Sequence, residues 1–127
     1  MRIEHIAMYV TDLEKTKDFF VKYFHAAADE NYHNKATGFR SYFLSFDGGA
    51  RLEIMTRPQL QAGAKALEHT GYIHMAFCLG SEQAVDDLTQ RLREDGYHVV
   101  SGPKMTGDGY YESCIVGIEE NLIEITG

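Results

Sequence analysis

Two stretches of this chain spell one pattern, and that repeat constrains the fold more than any other feature. Ile3 to Val10 reads Ile-Glu-His-Ile-Ala-Met-Tyr-Val, and Tyr72 to Leu79 reads Tyr-Ile-His-Met-Ala-Phe-Cys-Leu. Each stretch runs straight into a helix start. In the first half, Thr11 and Glu14 form a capping box that satisfies orphan backbone donors. In the second, Ser81 takes the cap position. His5 and His74 lie 69 positions apart, and Glu53 and Glu124 lie 71 apart. A half of this size cannot bury its own sheet, so two halves of one plan are expected to pair.

The helices that follow are amphipathic. Leu13, Phe20 and Phe24 fall on one stripe with Phe19 and Tyr23 beside it; Val85, Leu88 and Leu92 form the second stripe, which Gly96 stops. Strand-like runs come next. The first half offers a weak strand from Ala27 to Tyr32, then Phe39 to Phe46 and Arg51 to Thr56. The second offers Tyr97 to Ser101, Tyr110 to Val116 and Leu122 to Thr126. Each half therefore reads strand, helix, strand, strand, strand, which is an α+β plan of two βαβββ modules. The modules span residues 1–57 and 71–127 of a single domain, with a linker at 58–70 that has room for a short helix between Pro58 and His69.

Composition narrows the function. A chain of 127 residues can bury a core without disulfides or structural metal, so a bound metal would be functional. The formal net charge of -7, with no basic run to offset it, argues against nucleic acid as a partner. Cys78 and Cys114 form no CxxC pair and sit in apolar runs, so buried free thiols in a reducing cytoplasm are expected. The start, Met1-Arg2-Ile3-Glu4-His5, lacks signal-peptide character, and no apolar stretch approaches membrane-spanning length. A cytoplasmic protein that contacts no membrane is the expectation.

Strand parity then isolates four residues. Ile6, Met8 and Val10 share one face of the first strand, and His5 lies on the other. Glu53 points away from Leu52 and Ile54, His74 from Ile73, Met75 and Phe77, and Glu124 from Ile123 and Ile125. In each case the apolar set can pack under a helix while the His or Glu faces the opposite side. One such residue alone reads as a solvated surface group. The same residue types recurring at repeat-equivalent positions read as a ligand set. Two buried carboxylates without a partner are costly. One divalent ion (Ni, Zn, Co, Mn or Fe) suits two imidazoles and two carboxylates and leaves positions for a substrate. Tyr9 shares the parity of His5, and Arg40, Tyr42, Arg57, Tyr110 and Tyr111 are further candidates to hold a substrate anion or ring.

These residues resemble the vicinal oxygen chelate superfamily, which includes glyoxalase I, methylmalonyl-CoA epimerase, extradiol dioxygenases, and fosfomycin- and bleomycin-resistance proteins. The resemblance covers essentially the whole chain. It is carried by His5-Ile6-Ala7 with Asp12-Leu13, by Arg51-Leu52-Glu53-Ile54 and by His74-Met75-Ala76-Phe77. Gly109-Tyr110-Tyr111-Glu112-Ser113 and the closing Asn121-Leu122-Ile123-Glu124-Ile125 complete it. It implies an eight-stranded, incompletely closed barrel with the helices outside, and a homodimer in many members.

The His, Glu, His, Glu order is most similar to glyoxalase I. It implies a lyase or isomerase acting on a small vicinal-oxygen substrate through a metal-stabilised enediolate, with His5 and His74 as fixed ligands and Glu53 or Glu124 moving the proton. Tyr9 and Arg57 stand where bacterial glyoxalase I has an Arg and an Asn that contact glutathione, which leaves the thiol cosubstrate open. An Fe(II) dioxygenase is the first alternative, disfavoured by the second carboxylate. A non-catalytic, resistance-type binding dimer is the other, disfavoured by the complete ligand set.

Overall fold

The structure is a computed structural model that describes residues 1–61, 63 and 70–127. The short helix expected between Pro58 and His69 falls largely outside the described residues. The chain divides into two compact units, residues 1–63 and 64–127.

In the first unit, β1 (His5–Tyr9) leads into α1 (Leu13–Phe24), then β2 (Ala27–Ala28), β3 (Tyr32–Asn34), β4 (Phe39–Ser45) and β5 (Arg51–Thr56). The sheet order is β1-β5-β4-β2, with β3 also paired to β4. β1 runs parallel to β5, and the remaining pairs are antiparallel. The second unit repeats the plan with β6 (His74–Cys78), α2 (Glu82–Glu94), β7 (His98–Met105), β8 (Tyr111–Val116) and β9 (Leu122–Thr126). Its order is β6-β9-β8-β7, and β6 again runs parallel to the closing strand. The α+β plan of two βαβββ-type units thus stands.

Both cores are built as the apolar stripes predict. Phe20, Leu44 and Ile54 are fully buried in the first unit; Val85, Leu92, Ile115, Ile123 and Ile125 are fully buried in the second. Each such side chain contributes about 1.5–3 kcal/mol by leaving water. Within α1, Phe19 packs edge-on to Phe20 at 5.3 Å between ring centroids, and both rings are buried. In the second unit the Thr89 hydroxyl lies 2.6 Å from Ser113 Oγ, a satisfied polar pair that ties α2 to β8.

Several local expectations are corrected. The cap of α1 is Asp12, whose carboxylate accepts from Lys15 N at 3.0 Å, rather than Thr11. A carboxylate at that position also meets the positive end of the helix dipole. Ser81 caps α2 as expected, accepting from Ala84 N at 3.2 Å. The weak strand from Ala27 to Tyr32 splits into β2 and β3. Asp29 interrupts it by taking Phe43 N onto its own carboxylate at 2.7 Å. β7 runs on to Met105, past the expected end at Ser101, through register shifts at Ser101 and Lys104. Gly102 makes this possible: its φ is +79°, and a Cβ there would stand 2.3 Å from the Glu112 carbonyl oxygen.

The apolar rows of the opening strands are less covered than alternation alone predicts. Ile6 is 40% exposed on the edge strand β1, and Ile73, which stands just before the edge strand β6, is 41% exposed. Cys78 is exposed and Cys114 half-buried, so the pair of buried thiols is not found.

Candidate metal centre

Each unit holds one His and one Glu in the same register. In the first, Ala7 of β1 pairs with Glu53 of β5, and His5 lies two residues upstream of that alanine on the same face. In the second, Ala76 of β6 pairs with Glu124 of β9, and His74 lies two residues upstream. In both repeats the residue beside the carboxylate is a small one, alanine. His74 Nε2 and Glu124 Oε2 are 3.2 Å apart, and both side chains are partly shielded. Two donors each about 2.0–2.2 Å from one metal ion stand about 3.0–3.5 Å apart, so this pair has the separation of two ligands. Among the described residues, no three His, Cys, Asp or Glu side chains gather into a cluster that could hold a metal ion; of the four expected ligands, the structure brings His74 and Glu124 into contact.

A carboxylate that the repeat did not single out orients the first histidine. His5 Nδ1 lies 2.5 Å from Glu4 Oε2, and Arg51 Nε donates to Glu4 Oε1 at 2.8 Å. These two bonds hold the Glu4 carboxyl below the usual range, the His5 contact acting most strongly. A carboxylate at Nδ1 leaves Nε2 as the ring nitrogen that a metal ion could take. Phe43 packs against the His5 ring at 5.4 Å and carries the Arg51 guanidinium over its face at 4.2 Å. The signal in the sequence was only that Glu4 precedes the histidine.

The electrostatics of the second pair favour a cation. Burial raises the Glu112 pKa, and the neighbouring charges of Glu124 and Asp108 raise it further. Burial likewise pushes the Cys114 thiol up, followed by Glu124 and Glu112. Carboxylates share this sheet face with the His74 imidazole, and the repulsion between Glu112 and Glu124 is of the sign that a cation would relieve.

The candidate substrate groups divide between the two faces. Tyr9 pairs with Met55 on the Glu53 face, and Arg57 keeps the same parity, its guanidinium 5.5 Å from the Tyr9 ring centroid. Arg40 and Tyr42 lie on the opposite face, because Tyr42 pairs with the buried Ile54. There Arg40 Nη2 and Tyr42 Oη donate to Glu14 Oε1 at 2.8 and 3.0 Å, and Lys17 Nζ donates to Oε2 at 2.8 Å. Tyr111 is likewise on the helix side, donating to Asp86 Oδ1 at 2.7 Å. Parity along a single strand separates the faces, but only register against a buried neighbour says which face is which. These three residues fasten helices to sheets.

The Glu14 network yields a pH prediction. The bond from Lys17, then that from Tyr42, hold Glu14 below the ordinary glutamate value of 4.5. A carboxylate depressed on folding stabilises the protein above its unfolded pKa and loses that stabilisation as pH falls through the folded value. Its half-exposed setting limits the contribution to about 0.5–1 kcal/mol. Urea unfolding of Glu14→Gln is expected to show that deficit at neutral pH, and the deficit is expected to vanish in acid below the folded pKa of Glu14.

Comparison with known proteins agrees with this architecture. The chain belongs to the Glyoxalase/Bleomycin resistance protein/Dioxygenase superfamily, whose family profile matches residues 2–125. It is 30% identical over 94 residues to the uncharacterized protein YwkD of Bacillus subtilis (strain 168), covering 74% of this chain and 71% of that one. Among solved structures, a glyoxalase family protein from Bacillus cereus aligns with TM-score 0.81 at 18% identity, covering 99% of this chain and 93% of that one. The trypanothione-dependent glyoxalase I of Leishmania major aligns at 0.79 and 15% identity, covering 100% and 86%. The fosfomycin resistance protein FosX of Listeria monocytogenes, solved with Mn(II) and sulfate, aligns at 0.71 and 21% identity, covering 98% and 90%. At these identities the likeness to solved structures is one of fold. No described helix is long and apolar enough to cross a membrane.

Proposed function

We propose that the chain is a divalent-metal-dependent lyase or isomerase for a small substrate with oxygens on adjacent carbons. Its metal would be held by His5 and Glu53 from one unit and His74 and Glu124 from the other, within one chain or across a homodimer. The observation that carries this reading is the duplicated His–Glu register, with the 3.2 Å separation of His74 Nε2 and Glu124 Oε2. A divalent cation bound there supplies Lewis-acid stabilisation of the negative charge that develops on the substrate oxygens.

The chain's own groups do the rest. Glu124 stays engaged with His74 and acts as a ligand. The Glu53 carboxylate makes no hydrogen bond or ion pair with another described residue, which supports assigning it to take a proton from the carbon beside the carbonyl and return it to the neighbouring one. Glu4 fixes the ring of His5, and Tyr9 and Arg57, on the same face as Glu53, position the substrate. The second carboxylate separates this reading from dioxygenase chemistry, which needs that position for oxygen.

Equilibrium dialysis against Ni, Zn, Co and Mn tests the proposal at its base. One tightly held ion per four-residue donor set is expected. A protein that retains none of these ions would remove the metal and leave the binding-module alternative.

A further inference from the structure

The first unit holds an open cavity of about 780 Å³ lined by Tyr32, Asn34, Thr37, Phe39, Arg57, Pro58 and Gln59. We propose that this cavity binds a carboxylate carried on a flat, mainly apolar group. Arg57 would receive the charge, and the Tyr32 and Phe39 rings would form the wall for the flat group.

The register places the cavity on the face that bears Glu53. Asn34 pairs with Phe39 across the β3–β4 hairpin, Phe39 shares a face with Phe43, and Phe43 pairs with Glu53. Arg57 lies four residues beyond Glu53, about 13 Å along the strand direction. A ligand touching both positions is an elongated molecule with its anion at the far end. That it is the distal part of the substrate rests on the metal reading above; binding in the cavity does not.

Three observations indicate a ligand. The chain carries a net charge of -7, and acidic side chains take up Arg40 and Arg51. Arg57 instead has no carboxylate partner among the described residues and stands only over the Tyr9 ring. A guanidinium left exposed at a cavity mouth in an acidic protein is a receptor for an anion. The polar lining is also organised. Asn34 Oδ1 accepts from Ala36 N and Thr37 N at 3.0 and 3.3 Å, which commits its oxygen to the hairpin turn and leaves the Nδ2 amide to donate elsewhere. Finally, the backbone is fitted around the space. Gly38 has φ +73°, and a Cβ there would stand 2.8 Å from Pro58 Cγ, so the hairpin tip closes directly onto the loop after β5. Gln59, a non-glycine residue, holds φ +67° at the rim, a strained conformation of the kind kept at binding sites. Tyr32 and Phe39 lie 6.0 Å apart and tilted, both at the cavity wall. A single guanidinium suits a monoanion, which selects carboxylate over a doubly charged phosphate.

The test is a titration of metal-free full-length protein with naphthalene-2-carboxylate and with its neutral carboxamide, followed by amide chemical shifts. Omitting the metal separates this outcome from that of the function proposed above. The carboxylate is expected to bind about ten-fold more tightly than the carboxamide. Shifts should concentrate at Asn34, Thr37, Phe39 and Gln59. Arg57→Gln should abolish the preference. Lys35→Gln, which removes a nearby positive charge that does not line the cavity, should keep it. Equal binding of the two probes, binding of neither, shifts elsewhere, or loss of preference in both variants would overturn the proposal.

Discussion

Protein with His74 replaced by Ala is expected to bind Ni or Zn at least ~100-fold more weakly than the unmodified chain. Removing even an outer partner of a metal ligand costs about 10–100-fold, and removing the ligand itself costs no less. The expectation follows from position. His74 Nε2 stands 3.2 Å from Glu124 Oε2, so the imidazole and carboxylate can act on one ion. Its removal leaves Glu124 beside Glu112, whose charges already oppose one another. His33→Ala is the matched control. His33 pairs with Arg40, on the face opposite Glu53, and its loss should leave metal affinity within about two-fold of that of the unmodified chain. Isothermal titration of both variants decides the matter. Equal affinity for His74→Ala and the unmodified chain, or equal damage from His33→Ala, would exclude the ligand role.

The duplicated plan was legible in the sequence because it rests on two periodicities that survive local detail. The 3.6-residue stripes of α1 and α2 and the alternation in β5 and β9 identified Phe20, Leu92, Ile54 and Ile123 as core, and all are buried. Alternation failed at Ile6 of β1 and at Ile73 just ahead of β6, both exposed, because period alone does not say whether a strand is central or at an edge, or where it begins. It also failed where a side chain replaces the ladder. The Asp29 carboxylate takes a β4 amide and cuts the strand that composition suggested. Of the site, the His–Glu registers were readable because parity and repetition agree. The roles of Arg40, Tyr42 and Tyr111 were not. Each is a polar or aromatic residue in a strand, and its use depends on which carboxylate of a helix faces it: Glu14 for the first two, Asp86 for the third. Glu4 was missed for a related reason, since its role is a contact with its immediate neighbour and with Arg51, residues that no spacing rule connects.

Glu53→Gln carries the largest expected effect on chemistry. In the metal-loaded protein it should slow proton exchange at the carbon beside a carbonyl by roughly 10²–10⁴-fold, the range for losing a positioned general base. Hydroxyacetone in D₂O, followed by loss of its methylene proton signal, is a suitable probe, because it offers oxygens on adjacent carbons and an exchangeable C–H without requiring a thiol cosubstrate. Glutamine keeps the shape and an oxygen donor but cannot accept the proton, so metal affinity should fall less than it does in His74→Ala. The comparison with Glu124→Gln separates the two carboxylates. The Glu124 carboxylate is held at His74, whereas the Glu53 carboxylate has no hydrogen-bond or ion-pair partner among the described residues. Glu124→Gln should therefore weaken metal binding more and, once saturated with metal, exchange faster than Glu53→Gln. The reverse order would move the base to Glu124. Unchanged exchange in both saturated variants would mean that neither carboxylate carries the proton, leaving the duplicated register to serve binding alone.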